Sequence, residues 1–323
     1  MNKIFRTRRS PSGFSFLDVS QTEKLQNIAR LSQQIIVEEG YQRVMPPSFD
    51  YPETFSESRS AGTFHVRDHL GEDLAIRNDM TVQVIKGFAN QLDLAPDQTS
   101  FKYFYTAPVF HDILKSYPSA REIYQLGVEV IGVESKNIIP DLLNLATRVL
   151  QKITRNKIRI IISDVQIARA IAALSPETEH AECNRAILNR DAVSLGNILG
   201  QQKSLQPHSL NLARALLFKG SESNVVLQKL RNLGLPRSII DMIENLVAFS
   251  ANLSVGAASV EWEPLLLRKS DYYTGYIFEF YIEGLNLPAL RGGSYDNLVA
   301  KYSQNNLPAS GFALDLSSLL KII

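Results

Sequence analysis

Leu25, Ile28, Leu31, Ile35 and Ile36 recur near helical spacing, which predicts a helix opened by the capping box Ser20-Gln21-Thr22-Glu23 and closed at Gly40. Tyr41–Tyr51 reads as extended chain around Pro46-Pro47, and Thr63–Val66 and Asp73–Ile76 read as short strands. Asp79 is placed to cap a second helix whose buried stripe is Thr81, Ile85, Phe88 and Leu92. Two strand signals follow. Phe101–Phe110 is rich in aromatics, and Glu122–Val133 alternates, with Ile123, Leu126, Val128 and Val130 apolar. Tyr124 and Ile131 are large on the other side as well, which suits a sheet covered on both faces.

Further on, Pro140 is read as opening a helix to about Ile153, and Lys157–Ile162 as a strand. Helical patterns then dominate, at Asp164–Leu174, Pro176–Leu188, Ser221–Leu233 and Pro236–Leu253. Strand signals return at Val260–Leu267 and Tyr276–Ile282, so 176–253 is expected to be a helical insertion. Gly311–Leu320 reads as a strand running into a helix. No internal repeat is seen. The economical architecture is α+β: a mixed, mostly antiparallel sheet flanked by helices, with a helical module inserted.

Composition narrows the classes of function. A chain of 323 residues with 45% apolar and 21% charged residues can bury a sizeable core. Lys and Arg number 34 against 33 Asp and Glu, a net charge of +1, which weighs against a protein holding long nucleic acid mainly by charge. Cys183 is the only cysteine, which excludes an intramolecular disulfide, a Cys-based zinc site and CxxC redox chemistry, and fits a cytoplasmic protein. The longest apolar stretches, such as Leu246–Leu253, fall short of the ~18–20 residues of a spanning helix. Arg8-Arg9 is not followed by an apolar region, so export is not expected.

Three constellations could carry chemistry. Gln125, Gly127 and Glu129 lie at i, i+2 and i+4 of one strand, so they share a face. A fixed carboxylate, an amide and a bare backbone between them suit a compact ligand carrying an ammonium or an imidazole, whereas the plainer reading is a solvated strand face. Arg268-Lys269-Ser270-Asp271-Tyr272-Tyr273-Thr274-Gly275 joins an arginine, an acid and two phenols, able to recognise a carboxylate and a planar ring, or else forms a polar turn. In Arg291-Gly292-Gly293-Ser294-Tyr295-Asp296 a glycine pair allows close backbone approach, a weaker signal since Gly-Gly more often marks a turn. No P-loop, GxGxxG or Gly-x-Ser-x-Gly is present. His65 and His69 lack a third ligand, and His111, His180 and His208 show no useful spacing, so no metal is expected.

Taken in order, these segments resemble the core of histidyl-tRNA synthetases, a class II aminoacyl-tRNA synthetase family. Arg77-Asn78-Asp79-Met80-Thr81 is similar to the family's Arg-Pro-Glu-x-Thr, and Arg121–Glu129 to Arg-Glu-Phe-x-Gln-x-Gly-Val-Glu. Arg268–Gly275 resembles Arg-Gly-Leu-Asp-Tyr-Tyr-Thr-Gly, Gly292–Asp296 resembles Gly-Gly-Arg-Tyr-Asp, and Gly311–Leu319 resembles motif 3. The resemblance runs from about Arg9 to the end and implies a histidine pocket of Asp79, Thr81, Gln125, Glu129, Arg268, Tyr272 and Tyr273, with Asp79 where the family has Glu. The ATP machinery departs from the pattern. Phe110-His111-Asp112 stands where motif 2 has Phe-Arg-x-Glu, the acid beyond it is Ile113, Ser294 replaces an arginine, and Ser317-Ser318 replaces a closing Glu-Arg. Losing two phosphate-binding arginines at ~1.5–3 kcal/mol each costs roughly 10²–10⁴-fold, so adenylation is expected to be lost and no catalytic residue is assigned.

After motif 3 only Lys321, Ile322 and Ile323 remain, where family synthetases continue into an anticodon-binding domain; residues 1–323 are expected to form the synthetase-like core alone. That combination, and Met45-Pro46-Pro47-Ser48-Phe49-Asp50-Tyr51, resembles the ATP phosphoribosyltransferase regulatory subunit family. The resemblance implies a non-catalytic, cofactor-free subunit whose partner is the short-form ATP phosphoribosyltransferase catalytic subunit and whose effector is L-histidine. It also implies a dimer within a hetero-octamer, with no tRNA and no membrane partner. The effector site is either the synthetase-like pocket or a subunit interface. The other readings are a truncated histidine-activating enzyme and a synthetase paralogue acting on a translation factor or RNA.

Overall fold

The computed structural model describes residues 10–56, 62–92, 100–112, 120–218, 223–268, 270 and 272–323. The basic positions Arg6, Arg8 and Arg9, together with Ile113, Lys269 and Asp271, lie outside the described residues.

Helix α1 (Val19–Glu38) has its N-cap two residues before the expected Ser20. Asp18 is the N-cap instead: its carboxylate accepts from the Gln21 N–H, and the Gln21 side chain accepts from the Asp18 N–H. A carboxylate with a glutamine three residues on satisfies both orphan donors, so the Ser20 signal is overridden. Helix α2 (Met80–Leu92) follows short strands β1 (Gln42–Arg43), β2 (Phe49–Asp50), β3 (His65–Arg67) and β4 (Asp73–Ile76). The long strands β5 (Phe101–Phe110) and β6 (Glu122–Ile131) come next, and β6 stops before Gly132, whose φ of +86° leaves strand geometry.

In α3 (Ser135–Ile153), Pro140 sits inside the helix rather than opening it. One backbone bond is forgone there, while Ile138, Ile139, Leu142 and Leu143 remain buried, and that burial holds the turn. After β7 (Ile158–Asp164) come α4 (Val165–Ala172), α5 (His180–Leu188), α6 (Ala192–Leu199), α7 (Ser209–Leu217), α8 (Ser223–Asn232) and α9 (Arg237–Ala251). The periodicity gave no sign of α6 and α7. Strand β8 (Ser259–Trp262) is shorter than read because Pro264 cannot donate to a ladder. It is followed by β9 (Tyr276–Ile282), β10 (Leu290–Ser294), β11 (Ala309–Asp315) and α10 (Leu316–Leu319).

The main sheet runs β1-β5-β6-β11-β10-β9-β7-β8, antiparallel except for β1 on β5 and β7 on β8; β2, β4 and β3 form a small antiparallel sheet. Leu126, Val128 and Val130 face the larger core, shared with α1, α3 and the α5–α9 helices. The opposite face of β5 carries Phe101, Tyr103 and Tyr105 into a second core with Met80, Ile85 and Phe88 of α2, plus Tyr272 and Tyr295. Gln125, Gly127 and Glu129 share one face, as their spacing implied, and the pairing of Glu129 with Thr81 shows that this face is turned toward α2.

Gly292-Gly293 gives the close backbone approach that a glycine pair allows, in the middle of β10 rather than at a turn: a Cβ on Gly292 would meet Gly311 O at 2.4 Å and one on Gly293 would meet Tyr276 O at 2.5 Å. Gly127 does not leave room for a ligand: an added Cβ would lie 2.2 Å from Cζ of Tyr105, whose ring covers it from the neighbouring strand. Gly127→Ala is accordingly expected to destabilise the chain by about 1–3 kcal/mol through overpacking, read as a lower urea midpoint at unchanged slope.

Candidate functional site

Strand register builds the site floor. Glu129 pairs with Tyr103 on one side and Gly311 on the other, Gly127 pairs with Tyr105 and Ala313, and Gln125 pairs with Ala107 and Asp315. Above this floor is a cavity of about 380 Å³. Asp79, Thr81, Gln125, Arg268, Tyr272 and Tyr273 line it, as do His111, Arg291, Glu279, Asp315 and Tyr295.

One end is organised by α2. Asp79 caps the helix, its Oδ1 accepting from the Thr81 N–H at 2.9 Å, while the Tyr272 hydroxyl donates to Asp79 Oδ2 at 3.0 Å. Tyr272, Tyr273 and Tyr295 make an aromatic cluster with ring centroids 4.8–6.4 Å apart. Burial and the nearby Asp79 carboxylate push the Tyr272 phenol well above its ordinary range, so it remains a donor.

Glu129 is the member of the expected set that does not line the cavity. Only 1% exposed, it lies beneath, accepting from Thr81 Oγ1 at 2.8 Å, from the Tyr105 hydroxyl at 3.0 Å and from the Tyr295 hydroxyl. Burial drives its pKa well above the usual carboxylate range; the bonds from Thr81 and Tyr105 oppose that shift, and Asp79 reinforces it. Gly311 provides the space, since a Cβ there would lie 2.2 Å from Glu129 Oε2.

The other end holds opposed charges. Arg268 pairs with Glu279 at 2.8 Å and donates to Phe278 O at 3.3 Å, and Arg291 reaches the same carboxylate at 3.6 Å. The second oxygen of Glu279 accepts from the Tyr281 hydroxyl at 2.6 Å. Sequence reasoning missed Glu279 and Arg291 as a pair. The available signal was an acid at the centre of the otherwise apolar Tyr276–Ile282, but the cross-strand match of Arg291 with Glu279 needs the register.

The positions that depart from the synthetase pattern are absorbed by the fold. His111 lines the cavity with Nε2 3.3 Å from Asn78 O, and burial pulls its pKa below the ordinary value, so it is mainly neutral near pH 7. Ser294 donates to Tyr276 O at 3.2 Å. Ser318 donates its hydroxyl to Asp315 O at 2.8 Å and its N–H to Asp315 Oδ1 at 2.9 Å, closing the start of α10. Among the described residues no cluster of three His, Cys, Asp or Glu could hold a metal ion, and no helix is long and apolar enough to cross a membrane.

Comparison with known proteins gives a consistent likeness. The family model described as histidyl-tRNA synthetase matches residues 13–319. An ATP phosphoribosyltransferase regulatory subunit from Carboxydothermus hydrogenoformans is 29% identical over 300 residues, covering 92% of this chain and 90% of that protein. A regulatory subunit of the same name from Leptospira interrogans is 26% identical, covering 96% and 92%. In fold, the chain is similar to a crystal structure from Bacillus halodurans C titled ATP phosphoribosyltransferase regulatory subunit/histidyl-tRNA synthetase, with a TM-score of 0.81 at 21% identity over 99% of this chain and 84% of that one. A histidyl-tRNA synthetase from Nostoc gives a TM-score of 0.74 at 18% identity over 97% of this chain and 74% of that one.

Proposed function

The chain belongs to the histidyl-tRNA synthetase family, with a class II synthetase-like fold, and from that premise we propose that it is the regulatory subunit of an ATP phosphoribosyltransferase. One contrast in and around the cavity carries the reading. The end built by Asp79, Thr81 and Tyr272 over Glu129 is equipped for a cationic amino acid. Where the family has arginines, His111, Ser294 and Ser318 are bonded back to the protein's own backbone. An amino-acid site without its phosphate clamp senses rather than activates. The names of the similar proteins point the same way.

In this reading the chain does no chemistry. It assembles with short-form catalytic subunits, raises their rate of phosphoribosyl transfer to ATP, and makes that rate fall when L-histidine fills the cavity. Histidine must then bind one arrangement of the assembly more tightly than the other, with a coupling of typically ~1–3 kcal/mol. Asp79 faces the cationic parts of the effector, with Glu129 acting from beneath Thr81; Tyr272 and Tyr273 face its ring, and Gln125 and Arg268 its polar remainder. A dimer within a hetero-octamer is part of the proposal. Met45, Phe49 and Tyr51, 83%, 47% and 55% exposed, give that segment an apolar surface suited to protein contact.

Mixing the chain with a short-form catalytic subunit is expected to give one co-eluting species in size exclusion and a raised transfer rate that L-histidine lowers. Separate species and an unchanged rate would overturn the proposal, leaving a synthetase paralogue with another partner.

A further inference from the structure

Among the described residues Arg190 is the one residue other than glycine held in the left-handed region, at φ +53°. It stands just beyond Asn189, the C-cap of α5, where its N–H donates to Ile187 O at 3.1 Å and the Asp191 N–H to Ala186 O at 2.8 Å. Glycine is the ordinary residue in such a turn, because a Cβ there crowds the backbone. An arginine in its place costs free energy locally, and its side chain shows what offsets that cost. The guanidinium pairs with Glu263 Oε2 at 2.9 Å, donates to Leu217 O at the end of α7, and lies over the Phe218 ring at 5.3 Å from the centroid. One planar fork thus joins three segments, with the Glu263 carboxylate only 21% exposed, which separates this network from a lone surface pair.

Both ends of the ion pair lead directly into the cavity. Leu188, two residues before Arg190, lines it from the last turn of α5. Leu267, four residues after Glu263, lines it from the segment that continues to Arg268. The aromatic wall of Tyr272 and Tyr273 has a tie of its own: the Val165 N–H, the Gln166 amide and the Arg169 guanidinium of α4 donate to the carbonyls of Gly275, Thr274 and Tyr273 in turn. Arg190 does the corresponding work for the two leucines.

We propose that Arg190 is a positioning residue for this cavity: by latching the end of α5 to Glu263 and Leu217 it fixes the spacing of the Leu188 and Leu267 walls, and so sets how tightly the site closes on the amino acid bound beside Asp79. The effect on affinity rests on the proposed histidine site, whereas the latch is a property of the free chain.

The latch is tested on the free full chain by hydrogen exchange of Glu263→Ala. The amides of Asn189, Arg190 and Asp191 are bonded within the α5 turn, 73 residues from the substitution in sequence, and are expected to exchange about 3–10-fold faster than in wild type. Unchanged exchange there would overturn the latch, whatever L-histidine does. Calorimetry with L-histidine then compares wild type with Arg190→Gly, Arg190→Ala and Arg190→Lys. Glycine and alanine remove the same contacts, but only glycine suits the backbone. Arg190→Gly is therefore expected to unfold at a higher urea midpoint than Arg190→Ala, while both weaken L-histidine by about 3–10-fold. A merely structural role would make affinity follow stability instead. Arg190→Lys keeps the charge without the fork and is expected to recover part of the affinity. In a Leu188→Ala background Arg190→Gly should cause no further loss, because it acts through Leu188. Wild-type affinity in Arg190→Gly, or losses that add in full with Leu188→Ala, would overturn the proposal. Should Arg190→Gly and Arg190→Ala not fold, Glu263→Ala carries the affinity measurement with the same expected loss. If wild type binds no L-histidine while Glu263→Ala still speeds exchange, the histidine reading falls and the latch stands.

Discussion

With ATP and L-histidine, the purified chain is expected to give no histidine-dependent pyrophosphate exchange. Two arginines of the family pattern are His111 and Ser318 here, and neither is free to stand in. Burial keeps His111 mainly neutral near pH 7, and Ser318 closes the first turn of the last helix on Asp315. At ~1.5–3 kcal/mol for each lost charge-assisted bond, the deficit for a bound triphosphate is roughly 3–6 kcal/mol, or about 10²–10⁴-fold. Arg268 and Arg291 do not make up the difference, because Glu279 already neutralises half of their charge. Radiolabelled pyrophosphate exchange checks this against a genuine synthetase; comparable rates would return the chain to the histidine-activating reading.

How much of this site was legible in the sequence depends on whether the signal was local. The face shared by Gln125, Gly127 and Glu129 follows from the two-residue period of a strand, and the capping role of Asp79 from its place before an apolar run. Depth is a different matter. Alternation cannot say that Glu129 lies under the cavity rather than in it, because its cover comes from Thr81, Tyr105 and Tyr295, at sequence separations of 48, 24 and 166 residues. Gly127 looked open for the same reason: Tyr105 fills the space from the neighbouring strand. In β10 the glycine pair signalled close backbone approach, but the partners that demand it, Gly311 and Tyr276, are set only once the strands have paired. Helices α6 and α7, eight and nine residues long, are too short for periodicity to separate from loop.

Glu129→Gln is expected to weaken L-histidine binding, by less than the ~1.5–3 kcal/mol of a direct charge-assisted bond because the carboxyl acts from beneath Thr81, and to remove any proton release on binding. Among the described residues the hydrogen bonds to the Glu129 carboxyl come from hydroxyl groups alone, and burial raises its pKa well above the ordinary range. In the free protein the neutral form is therefore easier to hold than for an ordinary carboxyl. A cation seated above Thr81 favours the ionised form, so binding lowers that pKa, releases the proton wherever Glu129 holds one, and gains affinity as Glu129 deprotonates. Stability runs in the opposite sense. With a folded pKa above the unfolded value, the stability Glu129 contributes is fully present below the unfolded pKa, and it is lost as pH climbs toward the folded one. The glutamine variant removes that slope, and its melting temperature should fall less than that of wild type between about pH 5 and about pH 8. Asp79→Asn should weaken binding in the same direction. It also alters the helix cap and the bond from Tyr272, so its melting temperature should fall too. Calorimetry in two buffers of different ionisation enthalpy reads the proton count directly. Equal affinities of wild type and Glu129→Gln, with no proton released by either, would move the effector out of this cavity and to a subunit interface.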